Sequence, residues 1–315
     1  MKSDLTIRPL QRREELELFC SIPYAINHEI ESDLDAGRRR LDWLWVAREG
    51  NQLLGRIGWW AAAAGQPPAV LDILDIPGLE GAAADRLILT AMRNVLPPGS
   101  TPPQYTRYLK PDWHGDPVAA RDVERRSAAL GRLGARPLVE RLRLQWDAGG
   151  SVPPASQRLR FRSVANREDL VRLMTEVVSG TLDAHTILDL AAATPAEQAA
   201  AQYDHELNSY KSPKAWWRIA ERSEGEPVGF VIPARNSYNP IIAYIGVLPA
   251  FRGHGYVDDI LAEGTRVLAA QGAPRIRAAT DTGNGPMARA FSRAGYRIFE
   301  RQLDMVWDQA WPSAT

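Results

Sequence analysis

The chain has 315 residues, 45% of them apolar and 24% charged, which is enough to bury two ordinary cores and too long for one compact α/β unit. Lys plus Arg and Asp plus Glu number 38 each, and a net charge near zero argues against nucleic acid or a membrane surface as a partner. No signal peptide and no apolar run of 18 residues is visible, and the single cysteine, Cys20, leaves no internal disulfide and no cysteine-rich metal site, so a cytoplasmic protein is expected.

In chain order, residues 4–16 read as a strand leading into a helix. Trp43 to Ala47, a polar turn and Leu54-Gly55 read as two antiparallel strands. Val70 to Ile76 is a short apolar strand stopped by Pro77, and Gly78 to Ala84 follows it with no arginine and with Glu80 where an anion would be repelled. A helix ends near Gly134, and a last strand runs to Trp146. Asp147 to Pro154 has the glycine and proline content of a linker. The charge runs at 37–40 and 121–126 read as solvated helix faces.

Beyond the linker, Arg158 to Leu170 is again a strand leading into a helix, and Glu168 to Tyr210 is a long helical region broken at Ser179-Gly180 and Thr194-Pro195. For His185 within it, a hydrogen bond to Asp183 or Asp189 stands beside a substrate contact. Asp183 and His185 are two apart and would point to different sides of a helix, so no metal is expected there. Trp216 to Ala220 and Val228-Gly229 are strands. Ile241 to Leu248 is an apolar, β-branched run suited to a strand covered on both faces, and Pro249 stops it. Gly253 and Gly255 then allow backbone N–H groups to approach one another ahead of a helix carrying Asp258, Asp259 and Glu263, with Arg252 and His254 beside them. Such a helix start is a ready cradle for phosphate or pyrophosphate. Ala273 to Thr280 is one more strand, Asp281 to Pro286 a turn, and Met287 to Arg293 a helix stopped by Gly295.

The two halves repeat one another. Residues 4–16 lie on 158–170, 43–47 on 216–220, 70–77 on 242–249 and 129–136 on 290–297, and both copies close on a tryptophan, Trp146 and Trp307. Blocks in one order imply two copies of one fold.

Arg252-Gly253-His254-Gly255-Tyr256-Val257, preceded by Val247-Leu248-Pro249, resembles the pyrophosphate loop of the GNAT acetyltransferase superfamily, Arg/Gln-x-x-Gly-x-Gly/Ala. Asn284, the helix after it and Gly295-Tyr296 are similar to that family's last block. Two departures stand out: Val257 in place of Gly or Ala, and Phe291 where many members have a tyrosine acid. The resemblance implies an α/β (α+β) fold of two tandem GNAT-like domains, each a mixed, mostly antiparallel twisted sheet flanked by helices. The expected division is a degenerate copy at 1–148 without the coenzyme A loop, a linker at 149–156 and an acetyl-CoA-binding domain at 157–315. It also implies transfer of an acetyl group from acetyl-CoA to an amine by direct attack. The expected cosubstrate contacts are Val247, Leu248, Arg252, Gly253, His254, Gly255, Tyr256, Val257, Asn284 and Phe291. Tyr244, Asp281 and His185 are the candidates for acid and base, beside core and turn roles for each. The expected partner is a small amine or a peptide, with no metal, for a monomer or homodimer. The alternative is an acyl-CoA-binding sensor that has lost the chemistry, favoured by Val257 and Phe291.

Overall fold

The computed structural model describes residues 5–152 and 154–310. Pro153 of the expected linker and both extreme termini of the expected domains lie outside them. The chain divides into two compact units, Met1–Val139 with Gln302–Thr315, and Glu140–Arg301.

The first unit contains β1 (Thr6–Pro9), α1 (Leu16–Phe19), α2 (Ile30–Asp35), β2 (Leu44–Glu49), β3 (Gln52–Trp60), β4 (Val70–Asp75), α3 (Gly81–Val95), β5 (Gln104–Leu109) and α4 (Pro117–Arg132). It also takes the start of β6 (Ala135–Asp147) and the end of β12 (Arg297–Trp307). Its strand order is β1-β2-β3-β4-β5, then β12 and β6. The pairs from β1 to β4 are antiparallel, and β4 with β5 is parallel. Helix α3 forms because its buried residues Ala84, Leu87, Ile88, Ala91 and Met92 recur at helical spacing. They pack against Ile57, Trp59, Leu71 and Leu74 of the sheet. Asp116 starts α4 by accepting from the N–H groups of Val118 and Ala119, with Pro117 in the first turn.

The second unit contains β7 (Arg160–Ser163), α5 (Arg167–Val177), α6 (Ala184–Leu190), α7 (Pro195–Ala201), a π-helical turn at Gln202–Glu206, β8 (Arg218–Glu221), β9 (Pro227–Arg235), β10 (Pro240–Val247), α8 (Tyr256–Ala270), β11 (Arg275–Asp281) and α9 (Gly285–Arg293). Its order is β12-β6-β11-β10-β9-β8-β7. β10 runs antiparallel to β9 and parallel to β11, and β11 runs antiparallel to β6 over seven paired positions, Arg275 to Asp281. The helices and strands expected at 158–170, 216–229, 240–264 and 273–295 are all present. The fold is a mixed, mostly antiparallel sheet flanked by helices.

The units depart from the expected cut at 148, because the long strands β6 and β12 each pass from one unit to the other. Trp307 belongs to the first core, donating its Nε1–H to Leu133 O at 3.0 Å, while Trp146 belongs to the second. The exchange is symmetric. Gly134 (φ +88°) ends α4 under Trp307, and Gly295 (φ +83°) ends α9 under Trp146. The repeat was legible, but each closing tryptophan sits in the other copy. Among the described residues, no helix is long and apolar enough to cross a membrane.

Candidate active site

The site is built where β10 leaves β11. A bulge at Ala243 shifts the β9 register between Ile242 and Tyr244 and bends the strand. β10 meets β11 at Ile241 opposite Arg277, and the residues after Ile241 have no β11 partner among the described residues. Leu248 N–H bonds Val228 O at 2.8 Å on the β9 side. By the alternation of an antiparallel ladder, Tyr244 and Gly246 also bond β9, and Ile245 and Val247 turn their backbone groups to the open edge. Gly246 lets α5 approach this strand, since a Cβ there would lie 2.7 Å from Val177.

At the end of β10, the loop turns into α8 through two left-handed glycines, Gly253 at φ +81° and Gly255 at +74°. An added Cβ would meet nothing within 4 Å at Gly253 and nothing nearer than 3.9 Å at Gly255, so backbone angle and not crowding requires glycine. Asp258 is the first residue of this turn whose N–H is paired, to Gly255 O at 3.2 Å. The N–H groups of residues 253–257 precede it, the usual unpaired set of a helix start. Asp258 and Asp259 would oppose an anion here, but each is neutralised. Arg293 pairs with Asp258 at 2.7 Å, and Arg158 pairs with Asp259 while donating to His254 O at 3.1 Å and Gly255 O at 3.3 Å. The Arg158 guanidinium also lies 5.0 Å from the Tyr256 ring centroid. Sequence reasoning missed both arginines. Two aspartates in the first turn of a helix expected to hold an anion were the available signal, since in that role they require cationic partners.

Arg252, expected to face the pyrophosphate, is used otherwise. Its guanidinium donates to Val177 O and Ser179 O at 2.6 Å each and to Val247 O at 3.1 Å, so it caps the C-terminal carbonyls of α5 and ties them to the end of β10. Val257 packs against the second unit's core, and Leu248 is buried beside α5. Phe291 corrects an expectation. It is 1% exposed and stacked edge-on to Tyr296 in the core, out of reach of a bound molecule. Asn284 is the N-cap of α9, accepting from Met287 N–H at 3.3 Å.

Tyr244 is half-buried, edge-on to Phe230 at 5.0 Å. Burial pushes its phenol pKa well up, and the carboxylates of Asp183 and Glu206 push it further. His185 and Asp281 come together with Asp183, all three ligand atoms lying within 4.8 Å of one another. The helix-face argument fails because Asp183 is the cap of α6 and not inside it. Its extended backbone (φ −85°, ψ 118°) folds the carboxylate over the first turn, where Oδ1 accepts from Thr186 N–H at 2.8 Å. The three groups have the chemistry of a cation site, yet Arg141 already supplies a cation to both carboxylates, 2.9 Å from Asp281 Oδ1 and 3.4 Å from Asp183 Oδ2. Asp281 Oδ2 accepts from Ala184 N–H at 2.6 Å. Asp281 Oδ2 therefore holds the start of α6 to the end of β11, while Oδ1 faces the Arg141 guanidinium of β6.

Residues 158–297 match the family described as Acetyltransferase (GNAT) domain. No curated protein matches the sequence. Among solved structures, a GCN5-related N-acetyltransferase from Sphaerobacter thermophilus is similar over 99% of this chain and 97% of its own, with 14% identity and a TM-score of 0.58. A tandem GNAT protein from the clavulanic acid biosynthesis pathway is similar over 99% and 100%, with 17% identity and a TM-score of 0.51. Residues 158–297 are thus similar to the GNAT acetyltransferase domain, and the chain as a whole has the fold of tandem GNAT proteins.

Proposed function

We propose that the protein is an acetyl-CoA-dependent N-acetyltransferase. In this reading the second unit holds the cosubstrate and performs the transfer, and the first binds no coenzyme A. The observation that carries this is the juxtaposition of an open strand edge at Ile245 and Val247 with an exposed glycine loop at the start of α8. Acetyl-CoA supplies the acyl group as a thioester. The N–H groups of residues 253–257 hold its pyrophosphate, with Arg158 and Arg293 keeping the neighbouring carboxylates neutralised. Backbone groups of the β10 edge orient and polarise the thioester carbonyl.

Attack by a neutral amine leaves a proton on nitrogen and needs one at sulfur. Tyr244, its pKa raised, stays protonated at working pH and donates. His185 is the candidate acceptor of the amine proton, and Asp281 and Arg141 act as positioning residues that hold the α6 turn on which His185 sits. The acceptor is a small amine or a peptide amine. Val257 and Phe291, packed toward or within the core, lend no support to a sensor that has lost the chemistry.

The test is thiol release from acetyl-CoA by the full chain across a panel of primary amines. Turnover is expected with at least one, and Tyr244→Phe should lower kcat by about 10²-fold with KM for acetyl-CoA unchanged. Saturable acetyl-CoA binding with no turnover on any amine would replace this reading with the sensor.

A further inference from the structure

In the first unit the position matching Val247 is Asp75, at the end of β4. Three guanidiniums converge on it: Arg56 Nε at 2.8 Å from β3, Arg107 Nη2 at 2.9 Å from β5, and Arg126 Nη2 at 2.9 Å from α4. All four residues are buried, none more than 8% exposed. Asp72, the other buried acid on this strand, is already held bidentately by Arg39 at 2.8 and 2.6 Å. The cluster therefore carries two more positive charges than negative ones in the protein interior, an arrangement that is costly without a counter-charge.

Arg56 spends its other donors on Phe19 O, Ile22 O and Asn27 Oδ1, and Arg126 Nε bonds Leu74 O at 2.7 Å. Arg107 differs. Its Nε and Nη1 are buried with no hydrogen-bond acceptor among the described residues, although the guanidinium stacks on the Tyr24 ring at 3.6 Å. The Tyr105 hydroxyl, two residues earlier on the same face of β5, is likewise buried without a partner among them. Buried donors of this kind are nearly always satisfied in native proteins. Water could serve each donor, but water brings no charge.

We propose that the first unit binds a small oxyanion, of the phosphate, sulfate or carboxylate class, at Arg107 and the Tyr105 hydroxyl. In the repeat this is the place where the second unit presents its β10 edge. Arg126 and Asp75 close the β4 edge, so what remains is an anion pocket and not an acyl-CoA groove. The anion balances the surplus charge and accepts the open donors.

The experiment is isothermal titration of the full chain with inorganic phosphate at constant ionic strength, in a buffer free of chloride and oxyanions. Coenzyme A is present at saturation, so that the α8 loop of the second unit is not titrated. Acetate and chloride are run in parallel. Saturable binding of one phosphate is expected, weakened at least tenfold in Tyr105→Phe and abolished in Arg107→Met. If Arg107→Met fails to fold, Tyr105→Phe alone decides, because it removes one hydroxyl and keeps the ring. Phosphate bound as tightly by Tyr105→Phe as by the wild type would place the anion elsewhere and overturn the assignment. Absence of saturable binding for all three anions would overturn it too, leaving the donors to water.

Discussion

Beside β4, three guanidiniums meet one carboxylate where the strand leaves β5; beside β10, the corresponding edge carries the backbone groups of Ile245 and Val247. Both strands are bulged, β4 at Asp72 and β10 at Ala243, and both meet their parallel neighbour over only one or two residues before parting. The loops that follow differ in the same sense. Leu79 is 2% exposed and inserted in the first core, whereas residues 252–255 are exposed. The same splayed backbone can thus be sealed with charge and a buried leucine beside β4, or left open beside β10 with an exposed glycine loop after it. The seal resides in a few side chains and not in the topology.

The strongest way to break the comparison is to separate the copies at the linker. Residues 155–315 expressed alone would lack β6, whose residues 141–147 pair with β11, and with it Trp146 of the core and Arg141 beside Asp281. That fragment should show no cooperative melt by circular dichroism, while the full chain does. A folded fragment with acetyl-CoA-dependent stabilisation would show that β6 is dispensable.

Next in size is removal of the seal. Asp75→Ala strands three buried guanidiniums and should cost about 3–5 kcal/mol in urea unfolding. Val247→Ala, the matching change in the second unit, deletes two methyl carbons of a half-buried side chain and should cost about 1 kcal/mol. Equal costs would mean that the charge cluster is not what closes the first unit.

A smaller effect sharpens the functional side. Gly255→Ala meets no neighbouring atom, so its cost is the left-handed backbone, about 1 kcal/mol, together with weaker acetyl-CoA binding as the loop N–H groups shift. Gly81→Ala, at φ +46° and also clear of neighbours, should cost a similar amount of stability and leave binding untouched.

The smallest effect is in pH. Burial alone would raise the Asp75 carboxyl, but Arg107, Arg56 and Arg126 outweigh it and hold it below the ordinary 3.8. A carboxylate depressed in the folded state contributes stability that is fully present above its unfolded value and is lost as pH falls through the folded one. The melting temperature should therefore drop below pH 4, and Asp75→Asn should flatten that part of the profile. An unchanged slope would assign the acid sensitivity to other carboxylates.

How far the sequence could be read follows from the range of each interaction. The left-handed glycine turn at Gly253 and Gly255 and the strand-to-helix order are local, and their spacing was enough, whereas Asn284, expected as a cosubstrate contact, is the N-cap of α9. Arg158 reaches Asp259 and Arg141 reaches Asp281 across more than a hundred residues, and no local pattern announces either pair. Arg252 was found in its motif, but the bonds of its guanidinium to the last carbonyls of α5 were not. The exchange of Trp146 and Trp307 was invisible for a different reason. A strand ending in tryptophan reads the same whichever core receives it.

That exchange also constrains how the protein can be made. The first core is complete only when Met305 and Trp307 join it, and a ribosome delivers them after the whole of the second unit. Until then the growing chain carries β5 with an unpaired edge and a core lacking its closing aromatic. Exposed strand edges and apolar surface of this kind invite wrong pairing and capture by chaperones during synthesis. Closure of the first core thereby waits for synthesis of β12, and loss of β12 alone would damage the unit made first.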